Sequence, residues 1–340
     1  MGERGRILCF GEVLLRLSAV QPGLLLQEAR LDACFGGAEA NVAVALAKLG
    51  WPSAMVSVLP DHRLGDVALG ELAKHGVDVR AIQRADGRMG LYFLTPGAVT
   101  RASDIIYDRA GSAFAEATPE LIDWTALLPG AGRLHLSGVT PAIGPKTAEA
   151  ALRAARAAVD AGVPVSFDGN FRGKLWAAWG GDAPGILRSL FDSADIAFAE
   201  ERDMGLVLGE TFEADEPEAR RAEAMAAAFA AFPRLQVIAS TFRNLASVGE
   251  QELTGVLYRR GAAPLFSAPV RLSGVVDRIG GGDAFAAGLL YGLHAGRSDA
   301  DALALAMAST AFKHSVPGDF SLATLADLEA LMAGGLDVRR

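Results

Sequence analysis

The segment Asp277-Arg278-Ile279-Gly280-Gly281-Gly282-Asp283-Ala284-Phe285 carries three consecutive glycines directly before a long apolar stretch of helical character. Glycine lets the backbone turn its N–H groups toward an anion, and the N-terminus of the next helix adds positive potential. Asp283 would repel a resting phosphate, but it suits a general base that takes a hydroxyl proton while the glycine amides hold a phosphoryl group. Capping of the helix by Asp283 is the alternative, but a cap does not require three glycines. The segment therefore favours phosphoryl transfer, with Gly280, Gly281 and Gly282 as the anion cradle.

Composition excludes several classes of protein. The 340 residues carry a net charge of −8 and have no basic run, which argues against nucleic acid or an anionic membrane as a partner. No apolar run reaches the roughly 18 residues of a membrane-spanning helix. The first residues, Met1 to Arg6, lack the features of a secretory signal, so we expect a cytoplasmic protein. Cys9 and Cys34 have no metal-site spacing.

Apolar strand-like runs alternate with alanine-rich helical stretches along most of the chain. We predict strands at Ile7–Phe10, Ala54–Leu59, Arg133–Leu136, Val163–Phe167, Ile196–Ala199 and Gln236–Ala239. We predict helices at Asn41–Leu49, Val67–His75, Thr147–Ala161, Ala284–His294 and Ala300–His314. This alternation predicts one α/β domain over residues 1–340, built as three layers around a mostly parallel central sheet.

Two stretches, about 11–35 and 88–110, interrupt the alternation and lack helical periodicity. Leu91–Leu94 and Ile105–Tyr107 are aromatic and β-branched, as strands prefer. We interpret both stretches as parts of one small β-sheet that lies over the main domain as a lid. Such a lid also offers faces and edges for pairing, so we expect a homo-oligomer formed through it.

A second glycine signal occurs near the N-terminus, and the common nucleotide motifs are absent. Phe35-Gly36-Gly37-Ala38-Glu39-Ala40-Asn41 places a glycine pair before a helix, with Asn41 in the first turn and its amide expected to be exposed. Alone, this pattern fits a simple turn as well as a binding site. The P-loop, the dinucleotide-binding fingerprint, HExxH and GxSxG are not found, and the five histidines are scattered.

Together the two glycine segments resemble the two signatures of the ribokinase-like (PfkB) sugar kinases. The resemblance covers almost the whole chain, beginning at Phe10-Gly11-Glu12. It implies a three-layer ribokinase-like fold with a β lid, ATP as phosphoryl donor, Mg²⁺ as cofactor and Asp283 as the catalytic base. A monovalent cation is a further candidate cofactor that the residues leave undecided.

Within that family the chain is most similar to the 2-keto-3-deoxygluconate kinases. The closer match rests on Tyr107–Ser112, Asp168–Arg172, Thr241–Arg243, Arg278 and His314–Asp319. The resemblance implies that the sugar acid is contacted by Gly36, Gly37, Asn41, Tyr107, Arg109, Arg172, Asp283 and Asp319. It implies that the nucleotide lies along Asn170, Arg172, Thr241, Arg243, Gly280, Gly281 and Gly282.

The residue chemistry supports an acidic sugar independently. Arg172 follows a buried strand at its C-terminal end, where open α/β sheets place ligands, and Arg109 follows a lid strand. Two guanidinium groups beside Tyr107 suit a carboxylate, which they can bind through two parallel hydrogen bonds. A surface ion pair is the commoner fate of an arginine. If these arginines only form surface ion pairs, the acceptor need not be acidic. Two alternatives to a sugar-acid kinase then stay open. One is a kinase for a neutral sugar such as fructose or for a nucleoside, and the other is a sugar-acid-binding regulator without catalysis.

The metal position departs from the family pattern. Many members carry Asn-x-x-Glu after the strand predicted here at Ile196–Ala199, whereas this chain has Glu200-Glu201-Arg202-Asp203. Asp203 is the candidate that would organise Mg²⁺ through water, which this ion favours.

Overall fold

The computed structural model describes residues 5–245 and 250–334. Met1 to Arg4, which entered the localisation argument, lie outside the described residues. The strands are β1 (Arg6–Phe10), β2 (Leu14–Ala19), β3 (Leu31–Gly36), β4 (Ser53–Pro60), β5 (Ile82–Ala85), β6 (Gly90–Thr95), β7 (Asp104–Asp108), β8 (Ala131–Ser137), β9 (Val165–Asp168), β10 (Ile196–Phe198), β11 (Val237–Leu245), β12 (Glu250–Arg259), β13 (Leu265–Phe266) and β14 (Val270–Ser273). Helices α1 to α6 are Ala38–Lys48, Arg63–Lys74, Ala113–Glu116, Trp124–Leu127, Val139–Ala142 and Pro145–Asp160. Helices α7 to α13 are Gly173–Trp179, Ala183–Ser193, Glu201–Leu208, Pro217–Ala231, Gly281–His294, Asp299–Lys313 and Leu325–Met332.

In the part of the chain that the structure describes, the main sheet has ten strands in the order β13-β12-β11-β10-β9-β8-β1-β4-β5, with β14 paired to β12. The pairs from β5 to β11 are parallel, and β12 pairs antiparallel with β11, β13 and β14. Strand β1 shows why helices cover both faces. Leu8 and Phe10 belong to one buried cluster, while Ile7 and Cys9 belong to another, because successive side chains point to opposite faces. The predicted three-layer α/β fold is confirmed.

The antiparallel strands β12 to β14 and the extension of β11 past Ala239 were not predicted. The residues Thr241-Phe242-Arg243 alternate in polarity, and the apolar runs used to find the parallel strands end before them. A strand at the edge of a sheet is covered on fewer sides, so it does not need a continuous apolar run.

The two C-terminal helices pack closely and fix the start of α11. A Cβ atom at Gly288 would lie 2.8 Å from the Ala306 Cα, and one at Gly292 would lie 2.7 Å from the Ala302 Cα. These glycines let α11 and α12 approach backbone to backbone, which sets the position of the glycine turn at the N-terminus of α11.

A separate four-stranded sheet has the order β3-β2-β6-β7. Its strands fall within residues 14–36 and 90–108, close to the two stretches read as a lid. Its inner face carries Leu14, Tyr92 and Leu94, which pack with Ile279 of the glycine segment. This sheet, called the lid sheet below, therefore packs directly against the glycine segment Asp277–Phe285. Among the described residues, no helix is long and apolar enough to cross a bilayer.

Candidate active site

A cavity of about 370 Å³ lies between the lid sheet and the carboxyl ends of β9, β10 and β11. This is the edge at which open parallel sheets bind ligands. The predicted site residues on its wall are Gly37, Asn41, Tyr107, Arg109, Asn170, Arg172, Asp203, Thr241, Gly280, Gly281, Gly282, Asp283 and Asp319. Arg243 lines a second cavity, of about 540 Å³, which shares Ser240 and Thr241 with the first.

The three glycines of the turn have different surroundings. Gly280 has a φ of +80°, and a Cβ there would lie 2.1 Å from the Asp319 carbonyl oxygen, so the turn requires glycine. A Cβ at Gly281 would lie 2.7 Å from Cε1 of His314 in the segment after α12. A Cβ at Gly282 would meet no atom within 4 Å. Gly282 is thus the glycine of the turn at which a side chain would extend into open space. The N–H groups in the first turn of α11 have no acceptor within their own helix, as at the start of any helix.

Asp283 is the third residue of α11, and Gly280 is the N-cap, so the carboxylate is not the helix cap. Asn41 Nδ2 donates a 2.6 Å hydrogen bond to Asp283 Oδ2. Desolvation raises the pKa of Asp283 to about 7, while the Asn41 hydrogen bond opposes the shift. A carboxylate with a pKa near neutrality is suited to accept a hydroxyl proton.

The expectation of an exposed Asn41 amide was wrong. Asn41 is buried against Asp283, and its Oδ1 has no hydrogen-bond partner in the described part of the chain. The reason is that α1 packs on α11, so its first turn faces the glycine turn instead of solvent. The side chain still lines the cavity, and the bond to Asp283 orients the carboxylate.

Two further carboxylates lie on the cavity wall beside Asp283. Desolvation raises the pKa of Asp168 well above its usual range, and the charges of Asp283 and Asp203 add to the shift. Asp203 is buried, and its Oδ2 accepts a 2.8 Å hydrogen bond from the Glu200 backbone N–H. Its Oδ1 has no hydrogen-bond partner among the described residues.

These acids fit Mg²⁺ held largely through water. The described residues contain no cluster of three or more His, Cys, Asp or Glu side chains that could enclose a metal. Mg²⁺ keeps several waters and uses only one or two protein carboxylates plus substrate phosphates. The unpaired buried Oδ1 of Asp203 and the raised pKa of Asp168 fit carboxylates whose charge a bound cation would stabilise.

The arginines of the site differ in whether their charge is balanced. Arg109 is buried, and its Nε donates a 2.7 Å hydrogen bond to the buried carboxylate of Glu12, which also accepts one from Ser112 Oγ. Arg172 has no carboxylate partner within ion-pair distance in the described residues, and it donates to the Phe171 carbonyl oxygen. Arg172 is therefore the arginine of this pair whose guanidinium no carboxylate of the described residues holds directly, although its charge opposes the raised pKa values of Asp168, Asp203 and Asp283.

Local backbone geometry places Arg172 just past the end of β9. Asp168 Oδ1 accepts a 3.1 Å hydrogen bond from the Asn170 N–H, which forms a tight turn directly after β9. Asn170 has a φ of +35°, in the left-handed region that asparagine tolerates better than most residues. Asp168, Asn170 and Arg172 thus line the cavity wall together, directly after the end of β9.

Two more guanidinium groups flank the passage between the cavities. Arg278 lines the first cavity and Arg243 the second. Desolvation and the charge of Arg278 lower the pKa of Arg243 to about 10, and Glu200 opposes the shift. Two like charges that are close enough to affect each other's pKa are unfavourable alone, and they suit a polyanion that neutralises both.

Asp319 and Gly36 form a support under the cavity. Both oxygens of the buried Asp319 accept hydrogen bonds from Tyr92 Oη, at 2.8 and 2.7 Å, and Oδ1 also accepts one from Arg16. A Cβ at Gly36 would lie 2.0 Å from Asp319 Oδ2, and Gly36 is not part of the cavity wall. Gly36 therefore makes room for the Asp319 carboxylate.

Sequence reasoning missed several side chains of the site. Glu12, Asp168 and Arg278 stood inside the quoted motifs without an assigned role, and their positions in those motifs were the available signal. Arg16 and Tyr92 lie on β2 and β6 and had no local signal. Their contacts to Asp319 join residues more than 200 positions apart in the chain.

Comparison with known proteins gives consistent matches over the full chain. The 2-dehydro-3-deoxygalactonokinase of Haloferax volcanii is 34% identical over 330 residues, which are 97% of this chain and 97% of that protein. The structure of 2-dehydro-3-deoxygluconokinase from Thermotoga maritima superposes with a TM-score of 0.91 at 35% identity, covering 98% of this chain and 99% of that one. Fructokinase with bound ATP from Xylella fastidiosa gives a TM-score of 0.77 at 26% identity, covering 98% and 100%.

The sequence model of the pfkB family of carbohydrate kinases matches residues 4–323 of this chain. Kinases of this family use ATP together with Mg²⁺. The glycine turn, the Asp283 carboxylate and Arg278 lie together on the wall of the first cavity. The chain belongs to the pfkB family of carbohydrate kinases.

Proposed function

We propose that this kinase transfers the γ-phosphoryl group of ATP to the terminal hydroxyl of 2-keto-3-deoxygluconate. The observation that carries the proposal is the guanidinium of Arg172, which forms no ion pair among the described residues and lines the same cavity as the Asp283 carboxylate. A half-buried guanidinium that no protein carboxylate holds can bind a substrate carboxylate through charge-assisted hydrogen bonds. A neutral sugar would leave that charge unpaired.

In the proposed reaction, the Asp283 carboxylate takes the proton of the acceptor hydroxyl as the oxygen attacks the γ-phosphorus. The new O–P bond forms while the bond from the γ-phosphorus to the bridging oxygen breaks, and ADP leaves with that oxygen. The N–H groups of the glycine turn and the N-terminus of α11 stabilise the charge on the transferring phosphoryl oxygens. Asn41 keeps Asp283 oriented toward the acceptor. Bound Mg²⁺ would neutralise phosphate charge, and Asp203 and Asp168 would hold its water shell.

The nucleotide is proposed to run from the glycine turn into the second cavity. Thr241 borders both cavities, and Arg278 and Arg243 flank the route with positive charge. Asn170, with its left-handed backbone, stands on the wall of the first cavity. This route would bring the γ-phosphoryl group next to Asp283.

A panel of acceptors with ATP and Mg²⁺ tests the proposal. The panel contains 2-keto-3-deoxygluconate, its galactonate epimer and fructose, and kcat/KM is measured for each. We expect the two sugar acids to exceed fructose by at least about tenfold, since a charged hydrogen-bonded pair contributes roughly 1.5–3 kcal/mol. The similarity to the Haloferax volcanii galactonokinase makes the epimer the second candidate. Fructose as the best acceptor would refute the sugar-acid assignment.

Replacement of Gly282 tests the anion cradle. Because a Cβ at this position meets open space, Gly282→Ala keeps the fold and puts a methyl group where phosphoryl oxygens would approach. We expect kcat/KM for ATP to fall roughly tenfold, less than the ~10²–10³-fold of a lost oxyanion donor. Gly70→Ala in α2, which also meets no atom within 4 Å, is the matched control and should leave the kinetics unchanged. Equal kinetics for both variants would remove Gly282 from the cradle.

The outer face of the lid sheet is proposed to pair with a second copy of the chain. Ala33, Leu17, Phe93 and Ile106 lie in register across the four strands and are at least partly exposed, with Ile106 at 52%. A row of apolar side chains on a flat sheet face is favourable to bury. The interface would therefore leave the cavity side of the lid free.

Solution mass tests this pairing. Wild type should have the mass of an oligomer by size-exclusion chromatography with light scattering, and Ile106→Asp should shift it toward the monomer, because the interface would bury an unpaired charge. Val67→Asp, at a similarly exposed apolar position on α2, is the control and should keep the wild-type mass. A monomeric wild type would exclude the lid interface.

A further inference from the structure

Lys313 is a buried cation that the reaction scheme above does not use. It is the last residue of α12, and its relative exposure is 0%. Its Nζ donates a 2.9 Å hydrogen bond to the carbonyl oxygen of Val316. A fully buried lysine is rare without a compensating charge, so its surroundings need an explanation.

Two buried carboxylates that border the glycine turn lie near Lys313, although neither forms an ion pair with its ammonium within 4 Å. Burial lowers the pKa of Lys313, and the charges of Asp277 and Asp319 oppose the shift. Arg16 bridges the same two acids, at 2.7 Å to Asp277 and 3.0 Å to Asp319. Two negative and two positive side chains thus balance in a region closed to solvent.

This cluster holds the two segments that shape the glycine turn. Asp277 Oδ1 accepts from the Ile279 N–H at 3.0 Å, and Oδ2 accepts from the Gly318 N–H at 3.1 Å. The Lys313 Cε lies 3.3 Å from where a Cβ of Gly280 would be. The lysine side chain therefore lies beside the glycine turn, and that turn lines the cavity.

The oxygens around Lys313 are of the kind that bind a monovalent cation. Carboxylates and a backbone carbonyl are hard oxygen donors, and Asp277, Asp319 and Val316 supply them next to the turn. The ammonium already supplies the positive charge there. A further cation would leave the buried cluster with net positive charge, which is unfavourable in a low dielectric.

We propose that the ammonium of Lys313 is a built-in cation that fixes the glycine turn, so that turnover needs no added monovalent cation. Lys313 is a positioning residue, since it acts on the phosphoryl cradle through Val316, Asp277 and Gly280 and lies behind the cavity wall. This inference rests on the kinase reaction and is independent of which sugar is the acceptor.

The first test measures wild-type kcat in potassium, sodium and tetramethylammonium buffers of equal ionic strength. We expect the three values to agree within about twofold, because no site remains for an ion to fill. Strong activation of the wild type by potassium over tetramethylammonium would overturn the proposal.

The second test removes the ammonium. Lys313→Met keeps a long, unbranched side chain but removes the positive charge. We expect kcat to fall roughly 10²-fold, as when a group at the reacting centre, here the glycine turn, is displaced by about 1 Å. Lys313→Ala leaves space, and potassium or ammonium ions should restore kcat by about tenfold while tetramethylammonium should not. Rescue of the alanine variant but not of the methionine variant distinguishes a missing cation from general damage.

The third test needs no acceptor or nucleotide. The melting temperature of ligand-free Lys313→Ala should rise with added potassium or ammonium, because an ion that binds only the folded state stabilises it. Wild type and the exposed-lysine control Lys74→Ala should show no such rise. A Lys313→Met variant with wild-type kcat, or a Lys313→Ala variant insensitive to these ions in both kcat and melting temperature, would refute the assignment. A wrong sugar assignment would leave the melting result intact.

Discussion

Asp283→Asn is expected to reduce kcat by at least the ~10²–10⁴-fold that a general base contributes, while the fold and ATP affinity stay near wild type. Asparagine has the same shape and can still accept the Asn41 hydrogen bond through its Oδ1, but it cannot take the hydroxyl proton. Single-turnover kinetics separate this loss of chemistry from loss of binding, and calorimetry measures ATP affinity directly. A variant with kcat within a few-fold of wild type would remove Asp283 from the role of base.

The dependence of activity on pH gives a second test of Asp283 as the general base. Because desolvation raises the pKa of Asp283 to about 7, the carboxylate is protonated and inactive as a base below that pH. The wild-type kcat/KM should therefore rise with pH up to about 7 and then level off. The residual activity of Asp283→Asn should lack this rise. A wild-type profile that is flat from pH 5 to 8 would contradict the assignment.

Stability provides the control for folding. An acid whose pKa is raised in the folded state keeps its proton there after the unfolded chain has lost it. Folded stability therefore falls as pH rises from the usual aspartate pKa of 3.8 to about 7, and the loss persists above that pH. Asp283→Asn has no such group, so its melting temperature at pH 8 should equal or exceed that of wild type. A catalytic loss together with a retained or higher melting temperature would separate chemistry from misfolding.

The sequence predicted the main sheet well because its central strands are buried on both sides. Strands such as β4, in which every residue is buried, appear as continuous apolar runs bounded by polar turns. Helices α6 and α11 were recognisable from alanine-rich or apolar periodicity and nearby glycines. The extension of β11 past Ala239 and its antiparallel partner β12 were missed because polar residues interrupt their apolar runs.

The catalytic half of the candidate site was also accessible from the sequence, because glycines and an acid in one short segment carry the chemistry locally. The pairing of charged side chains in the site could not be predicted from the sequence. Glu12 neutralises Arg109 through a contact between residues 97 positions apart in the sequence. Arg16 holds Asp319 through a contact between residues 303 positions apart. The sequence treated Arg109 and Arg172 as equivalent, and only the fold separates them by their partners.

That separation makes Arg172→Ala the decisive test of the acceptor. The variant should lower kcat/KM for the sugar acid by about 10- to 100-fold, as expected for the loss of charge-assisted hydrogen bonds to a carboxylate, mostly through a higher KM. Its weak activity on fructose should change much less, since a neutral sugar has no carboxylate to lose a partner. Arg172→Lys should recover only part of the loss, because an ammonium lacks the planar fork of the guanidinium.

Arg202→Ala is the matched control for Arg172→Ala. Arg202 lines the same cavity, but it lies 3.5 Å from Glu200 and is largely exposed, so its charge is already balanced and screened. Its removal should change kcat/KM for 2-keto-3-deoxygluconate and for fructose by similar small factors. The discriminating quantity is the ratio of kcat/KM for 2-keto-3-deoxygluconate to that for fructose, measured in wild type and in each variant. Arg172 carries the preference if this ratio collapses in Arg172→Ala and persists in Arg202→Ala. If Arg172→Ala slows both substrates by the same factor, the guanidinium serves the nucleotide or the fold, and the case for an acidic acceptor loses its main support.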